Sequence, residues 1–323
     1  MKKINAFIIL LVIFSLLPLT SIFGWNSHGL TLSYVLKNVQ WLNQYNNITI
    51  TPFTYKDDIK EKINPNFEIK YLDGAIGEKT TAYKILTTYA DEPDWGLDSN
   101  LGLSKFQILM GDSQGYRHMF YKMGFIQIGE NPNQIEFWFN MAKIARERND
   151  YYWTFRFLAR ALHYMEDITQ PYHGIPGPTF IVLSNIFKGI KALTIMCSNH
   201  HYALEDYQGY MVGIANKKYV ETLEEYFMPL EVDDVKSIVW LGKYAASLNR
   251  ERVKVLWPLE EKFFGPKVSG YKEEFHFNPS KLHLGEYNLD YQAEYDNAIL
   301  YSLRYFNGFS RLLLEYTKKS LNL

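Results

Sequence analysis

The sequence predicts an all-α fold, a single compact domain of many helices, on three observations. Apolar residues recur at the spacing of a helix face through most of the chain. They make up 47% of the 323 residues, with 16% aromatic, which is enough to fill one large core. No internal repeat, low-complexity tract or linker divides the chain into separate units. The same composition excludes a disordered or collagen-like chain.

Charge and cysteine content narrow the class of protein further. The net charge is −1, so no overall basic field draws the chain to nucleic acid. Cys197 is the one cysteine in the sequence, so no internal disulfide can form. Stability must therefore come from the core or from bound metal.

The first residues are typical of a secretory signal peptide. Lys2 and Lys3 precede an almost wholly apolar run over residues 4–23. We expect residues 1–24 to be a cleaved signal and residues 25–323 to form a secreted, extracellular domain. The alternative is an uncleaved signal that anchors the chain in a membrane, because the run nearly spans a bilayer.

The first part of this domain alternates helices with irregular segments. The spacing of apolar residues predicts a helix that begins near Ser27 and another over about 80–89, which ends before Pro93. Residues 40–75 between them are irregular, and residues 94–115, rich in Gly, Asp and Ser, form a long loop with room for one turn of helix.

Helices dominate the rest of the chain. Asn149 or Asp150 caps a long helix that Pro171 stops. The apolar residues 179–196 are either a buried helix or a segment that dips into a lipid surface. Further helices are predicted over 199–213, 216–228, 232–249 and 292–319, with a loop at 264–290.

The segment from His163 to His173 carries the strongest chemical signal. His163 and Asp167 are four residues apart and share one face of the long helix. Pro171 turns the chain, so His173 can return toward that face. Imidazole and carboxylate at this spacing suit a zinc ion. The alternative is an ordinary surface pair followed by a loop histidine.

A second helix pair strengthens this interpretation. His201 and Glu205 are again four residues apart, whereas the neighbouring His200 has no carboxylate at that spacing. Two helices that each present a histidine and a carboxylate can build a multinuclear zinc site in a helical core.

These residues, with others upstream, resemble the zinc-dependent phospholipase C family and the related zinc-dependent single-strand-specific nucleases. The block His-x3-Asp-x2-Gln-Pro-x-His is the specific part of the resemblance. The ligand types follow the order of that family in Trp25, His28, Asp91, His118, His163, Asp167, His173, His201 and Glu205.

The resemblance implies three zinc ions in a cleft. The first would be held by Asp91, His118, His163 and Asp167, the second by His173, His201 and Glu205, and the third by Trp25, His28 and a bridging Asp167. The Trp25 site would use the free amine that signal cleavage creates. Asp94 is the alternative to Asp91 as a ligand.

The function implied is that of a secreted phosphodiester hydrolase, in which a zinc-bound hydroxide attacks phosphorus and Asp91 accepts the proton of the water. Phospholipid is the first substrate class, with contact to a membrane surface. Single-stranded nucleic acid is the alternative substrate, and a non-catalytic secreted zinc-binding protein is the third hypothesis. No obligate protein partner is indicated.

Overall fold

The computed structural model describes residues 27–59, 62–124 and 126–323. The predicted signal peptide and Trp25 lie outside these residues. The described part is all-α, as the sequence predicts. Its α-helices are α1 (His28–Leu36), α2 (Ala82–Tyr89), α3 (Ser113–His118), α4 (Asn131–Glu147), α5 (Tyr151–Thr169), α6 (Pro171–Gly174), α7 (Thr179–Ser184), α8 (Ile190–Gly213), α9 (Lys217–Glu224), α10 (Ile238–Arg250), α11 (Val253–Phe264), α12 (Pro279–His283) and α13 (Gln292–Leu321).

Strands are few and short in the described residues, and they form two separate antiparallel pairs. β1 (Ile48–Thr49) pairs with β2 (Lys79–Thr80), and β3 (Tyr121–Met123) pairs with β4 (Ile126–Ile128). No described helix is both long enough and apolar enough to cross a bilayer.

Helix α5 is the centre of the fold. The Asp150 side chain caps it by accepting the backbone N–H of Trp153 at 3.2 Å. Every residue of the helix from Tyr152 to Thr169 is buried. Helices α2, α4, α10 and α13 pack around it. Polar side chains on α5 therefore face protein on all sides and must find partners there.

The structure differs from the predicted elements where turn residues and prolines were misleading. Residues 94–115 contain the start of α3, which Asp112 caps through the N–H groups of Gln114 and Gly115. Pro171 ends α5 but also begins α6, because proline suits the first turn of a helix. Helix α11, with Pro258 inside it, was not predicted.

A buried ionic cluster fixes the turn that follows α2. Arg156 and Arg160, one helical turn apart on α5, both donate to the Glu92 carboxylate, at 2.5 Å and 2.8 Å. All three side chains are fully buried. Burial raises the pKa of Glu92, but the two guanidinium charges lower it overall, so the group stays ionised at neutral pH. The turn Glu92–Trp95 is thereby held against the central helix.

Replacing Glu92 by glutamine should destabilise the fold strongly, because two buried guanidinium groups lose their counter-charge. We expect the free energy of unfolding to fall by about 3–5 kcal/mol in urea denaturation. The matched control is Glu225→Gln, which breaks an exposed pair with Arg304 and should change stability little. Equal, small effects in the two variants would contradict a structural role for the cluster.

Candidate metal centre

The predicted helix pairs meet in the interior of the fold. Helix α5 carries His163 and Asp167, and α6 brings His173 back beside them after the break at Gln170. The N–H of Phe120 donates to the His173 carbonyl at 2.9 Å, which fixes this return against the strand that follows α3.

Four imidazoles surround the Asp167 carboxylate, which is fully buried. Oδ2 lies 2.8 Å from Nδ1 of His118 and 3.3 Å from Nε2 of His163. Oδ1 lies 3.6 Å from Nε2 of His28 and 3.5 Å from Nδ1 of His173. Neither oxygen has a hydrogen bond of ordinary geometry in the described part of the chain.

The spacing of these atoms resembles a coordination shell. His163 Nε2 and His118 Nδ1 lie 3.1 Å apart, and both lie close to the same Asp167 oxygen. A tetrahedral zinc ion with nitrogen ligands would separate its ligand atoms by about 3.4 Å. The three side chains can therefore hold one metal ion.

Asp94 is the second carboxylate among these histidines. Its Oδ1 lies 3.6 Å from His118 Nδ1 and 3.9 Å from His163 Nε2, and its Oδ2 lies 3.9 Å from His28 Nε2. His28, Asp94 and His163 form a further group of atoms that could hold a metal ion. The buried ionic cluster positions Asp94, because it holds the turn Glu92–Trp95.

Asp91 lies nearby in a different environment. Its carboxylate accepts the backbone N–H of Gly29 at 3.3 Å, at the start of α1. Burial raises the pKa of Asp91, against the charge of His163 and the N–H groups of Gly29 and His28. Of the two carboxylates considered as ligands, Asp94 is the one brought among the three imidazoles. A ligand role for Asp91 stays a prediction.

A second group lies on the other side of His173. Its Nε2 is 3.1 Å from Oε1 of Glu205, and Nε2 of His201 is 2.9 Å from the same oxygen. All three side chains are buried and their ligand atoms converge as one possible metal site. His173 thus lies between Asp167 and Glu205, so the two groups adjoin.

Two further carboxylates orient two of the imidazoles by contacting the ring nitrogen that faces away from Asp167. Asp98 Oδ2 lies 3.2 Å from Nε2 of His118, and Glu166 Oε2 lies 2.8 Å from Nδ1 of His28. Each contact turns the other ring nitrogen toward Asp167, as carboxylates do for histidines that bind metals. The Asp98 carboxylate itself accepts hydrogen bonds from Arg117 and Tyr164.

Glu260 on α11 supports the second group through contacts with residues that adjoin its histidines. Tyr172 donates to its Oε2 at 2.6 Å, and Nδ1 of His200 lies 2.5 Å from the same oxygen. These two residues immediately precede His173 and His201. One buried carboxyl group therefore connects the two segments that carry the histidines of the second group.

The pKa values of two carboxylates in these groups are shifted in opposite directions. Burial raises the pKa of Asp94 to about 6, against lowering by His163 and His118. Burial also raises the pKa of Glu205, but His201 and His173 lower it to about 2. A divalent cation would favour the ionised form of both carboxylates.

The donor set passes a test of fit for zinc. Asp98 is buried and fully hydrogen-bonded, whereas Oδ2 of Asp94 and both oxygens of Asp167 lack hydrogen bonds of ordinary geometry in the described residues. Buried carboxylates of this kind need a counter-charge. Imidazole nitrogens and carboxylate oxygens are the ligands that zinc takes.

The sequence anticipated some of these residues and not others. His28, His118, His163, Asp167, His173, His201 and Glu205 come together, and Asp94 joins them. Asp98, Glu166 and Glu260 were not predicted to support the site. All three lie far from their partners in sequence, and only Glu166 stands next to a predicted ligand, Asp167.

Comparisons with known proteins add little. No family model matches the chain, and no curated protein matches its sequence. A similar solved structure is the crystal structure of Clostridium perfringens alpha-toxin isolated from an avian strain, with 11% identity and a TM-score of 0.36. The match covers 93% of this chain and 66% of the toxin chain, so this chain spans just under two thirds of the toxin's length. Similarity at this level carries no argument about activity.

The role of Glu260 gives a testable prediction. Glu260→Leu should weaken zinc binding at the second group by about 10–100-fold, because Tyr172 and His200 lose their shared anchor. Glu260→Gln keeps one acceptor and gains a donor, so it should bind zinc nearly as the parent does. Competition with a chromophoric chelator measures both variants. Equal zinc affinity in Glu260→Leu and the parent would refute the anchoring role.

Proposed function

We propose that this chain is a secreted, zinc-dependent hydrolase of phosphodiesters that acts in the manner of a phospholipase C. The observation that carries the proposal is the junction of two groups of histidines and carboxylates. Asp167 Oδ1 lies 3.5 Å from His173 Nδ1, and His173 Nε2 lies 3.1 Å from Glu205 Oε1. Adjoining sites of this kind suit a phosphodiester, whose oxygens need more than one counter-charge.

The resemblance in the sequence supports the same reaction. The order of ligand types extends from Trp25 to Glu205, and the described members of that order converge in the core. We propose three zinc ions, the third of which would need the free amine of Trp25. Zinc bound in these groups would supply positive charge to a phosphodiester and lower the pKa of a water molecule.

The chain's own residues have separable tasks in this proposal. Asp167, His163 and His118 bind and orient through their fixed positions on α5 and α3. His173, His201 and Glu205 do the same on the other side. The buried walls of α5 exclude bulk water, which strengthens every electrostatic interaction in the cleft.

The proton acceptor is proposed to be Asp91, with Asp94 as the alternative. Burial raises the pKa of both carboxylates, which brings each nearer to the range in which a general base works at neutral pH. The two differ in their surroundings. Asp94 lies among three imidazoles, whereas Asp91 accepts the N–H of Gly29.

A product assay tests the proposal directly. Zinc-loaded chain beginning at Trp25 should release phosphocholine from phosphatidylcholine in mixed micelles, and Asp167→Asn should lose this activity by at least about 10³-fold. Single-stranded DNA is offered in parallel. Nucleotide release that depends on Asp167 would assign the same centre to a nuclease. Bound zinc without turnover of either substrate would leave a non-catalytic zinc-binding protein.

A pair of variants separates the two candidate proton acceptors. Asp94→Asn should lower zinc content together with turnover, because a carboxylate is lost from among the imidazoles. Asp91→Asn should lose turnover by roughly 10²–10⁴-fold if Asp91 is the base, and its zinc content should equal that of the parent if Asp94 rather than Asp91 is the ligand. Zinc content is measured by mass spectrometry of the metal. Unchanged turnover in Asp91→Asn would exclude it as the base.

A further inference from the structure

The segment between His173 and His201 exposes large aromatic side chains to solvent. Phe180 on α7 is 83% exposed, and Phe187 in the following turn is 95% exposed. Leu183 lies on the same short helix and is also exposed. Exposing two phenylalanines this fully in a chain with a large buried core is costly unless something covers them.

The opposite side of the segment is anchored. Val182 is buried, and a side chain at Gly177 would come within 2.7 Å of the Trp257 ring, so the backbone at Gly177 packs directly on that ring. Helix α7 therefore has one face fixed to the protein. Phe180 lies on the same helix as the buried Val182 and is exposed to solvent.

Two lysines follow the exposed phenylalanines in sequence. Lys188 and Lys191 follow Phe187 and are exposed, and the Lys188 ammonium lies 4.4 Å from the centre of the Tyr271 ring. Aromatic and basic residues side by side are typical of a segment that lies in a membrane interface.

A cavity of about 260 Å³ at the base of α7 is lined by several basic side chains. Lys122, Arg250 and Lys254 line it together with the first residue of α7, Thr179, and Glu251 is its one acidic member. Glu251 is paired with Lys254. Arg250 Nε donates to the Gly174 carbonyl at 3.2 Å, and its Nη2 has no hydrogen-bond partner in the described residues.

We propose that residues 179–188 dock on the surface of an anionic phospholipid membrane. Phe180 and Phe187 enter the boundary between headgroups and acyl chains, and Lys122 and Arg250 contact lipid phosphates. Gly174, which Arg250 holds, directly follows His173, so the docked surface adjoins the metal centre. Docking would deliver phospholipid to the metal centre, and this purpose rests on the proposed function. Membrane binding itself is measured without turnover.

Vesicle binding tests the proposal. The chain beginning at Trp25 is sedimented with vesicles of phosphatidylcholine, with and without phosphatidylserine. The parent should bind the anionic vesicles more tightly than the vesicles of phosphatidylcholine alone. The double variant Phe180→Ser/Phe187→Ser should bind the anionic vesicles at least about tenfold more weakly than the parent, because two aromatic anchors are lost. The matched control Tyr226→Ser/Leu284→Ser removes two other highly exposed large side chains, which are 77% and 74% exposed, and should bind as the parent does.

The outcomes are distinct from those of the product assay. Vesicle binding that depends on Phe180 and Phe187 upholds docking even if neither substrate is turned over. Equal binding of parent and double variant, or no binding of the parent, overturns it. A second copy of the chain is the competing occupant. A parent dimer that becomes monomeric in the double variant, without vesicle binding, would assign the face to self-association and overturn the proposal.

Discussion

The buried carboxylate of Asp167 is the constraint on which the rest of the structure depends. A carboxylate at the end of a fully buried helix is costly unless hydrogen-bond donors or a cation lie beside it. Four imidazoles, from α1, α3, α5 and α6, approach it within 3.6 Å. These helices must therefore converge at one point.

Helix α5 meets this requirement because polar side chains recur at regular intervals along one of its faces. Arg156, Arg160, His163 and Asp167 repeat at three or four residues, so they lie along one face. The arginines capture Glu92 and with it the turn that presents Asp94. His163 and Asp167 then lie beside Asp94 of this turn and His118 of α3. One helix thus supplies both the ionic support and two of the candidate ligands, His163 and Asp167.

Local spacing predicted the parts of the site that a single helix determines. His163 with Asp167 and His201 with Glu205 were predictable because the helix itself sets their separation. The return of His173 followed from Pro171. Contacts between distant segments were not predictable in this way. Asp94 could be distinguished from Asp91 only by the path of the turn that Arg156 and Arg160 hold. The α11 residue Glu260 had no signal at all, because Pro258 obscured the helix that carries it.

Aromatic side chains in a helical protein of this composition are mostly buried in the core. Trp257 and Phe180, which belong to adjoining parts of the structure, differ in this respect. Trp257 is buried; its ring stacks on His200 with centroids 3.4 Å apart and supports Gly177 at the base of α7. Phe180, only three residues after Gly177, is left in solvent. The same ring therefore contacts the residue that precedes His201 and the segment that carries the exposed phenylalanines. The Trp257 ring thus lies between the segment that carries the exposed phenylalanines and His200, which shares the Glu260 carboxyl group with Tyr172.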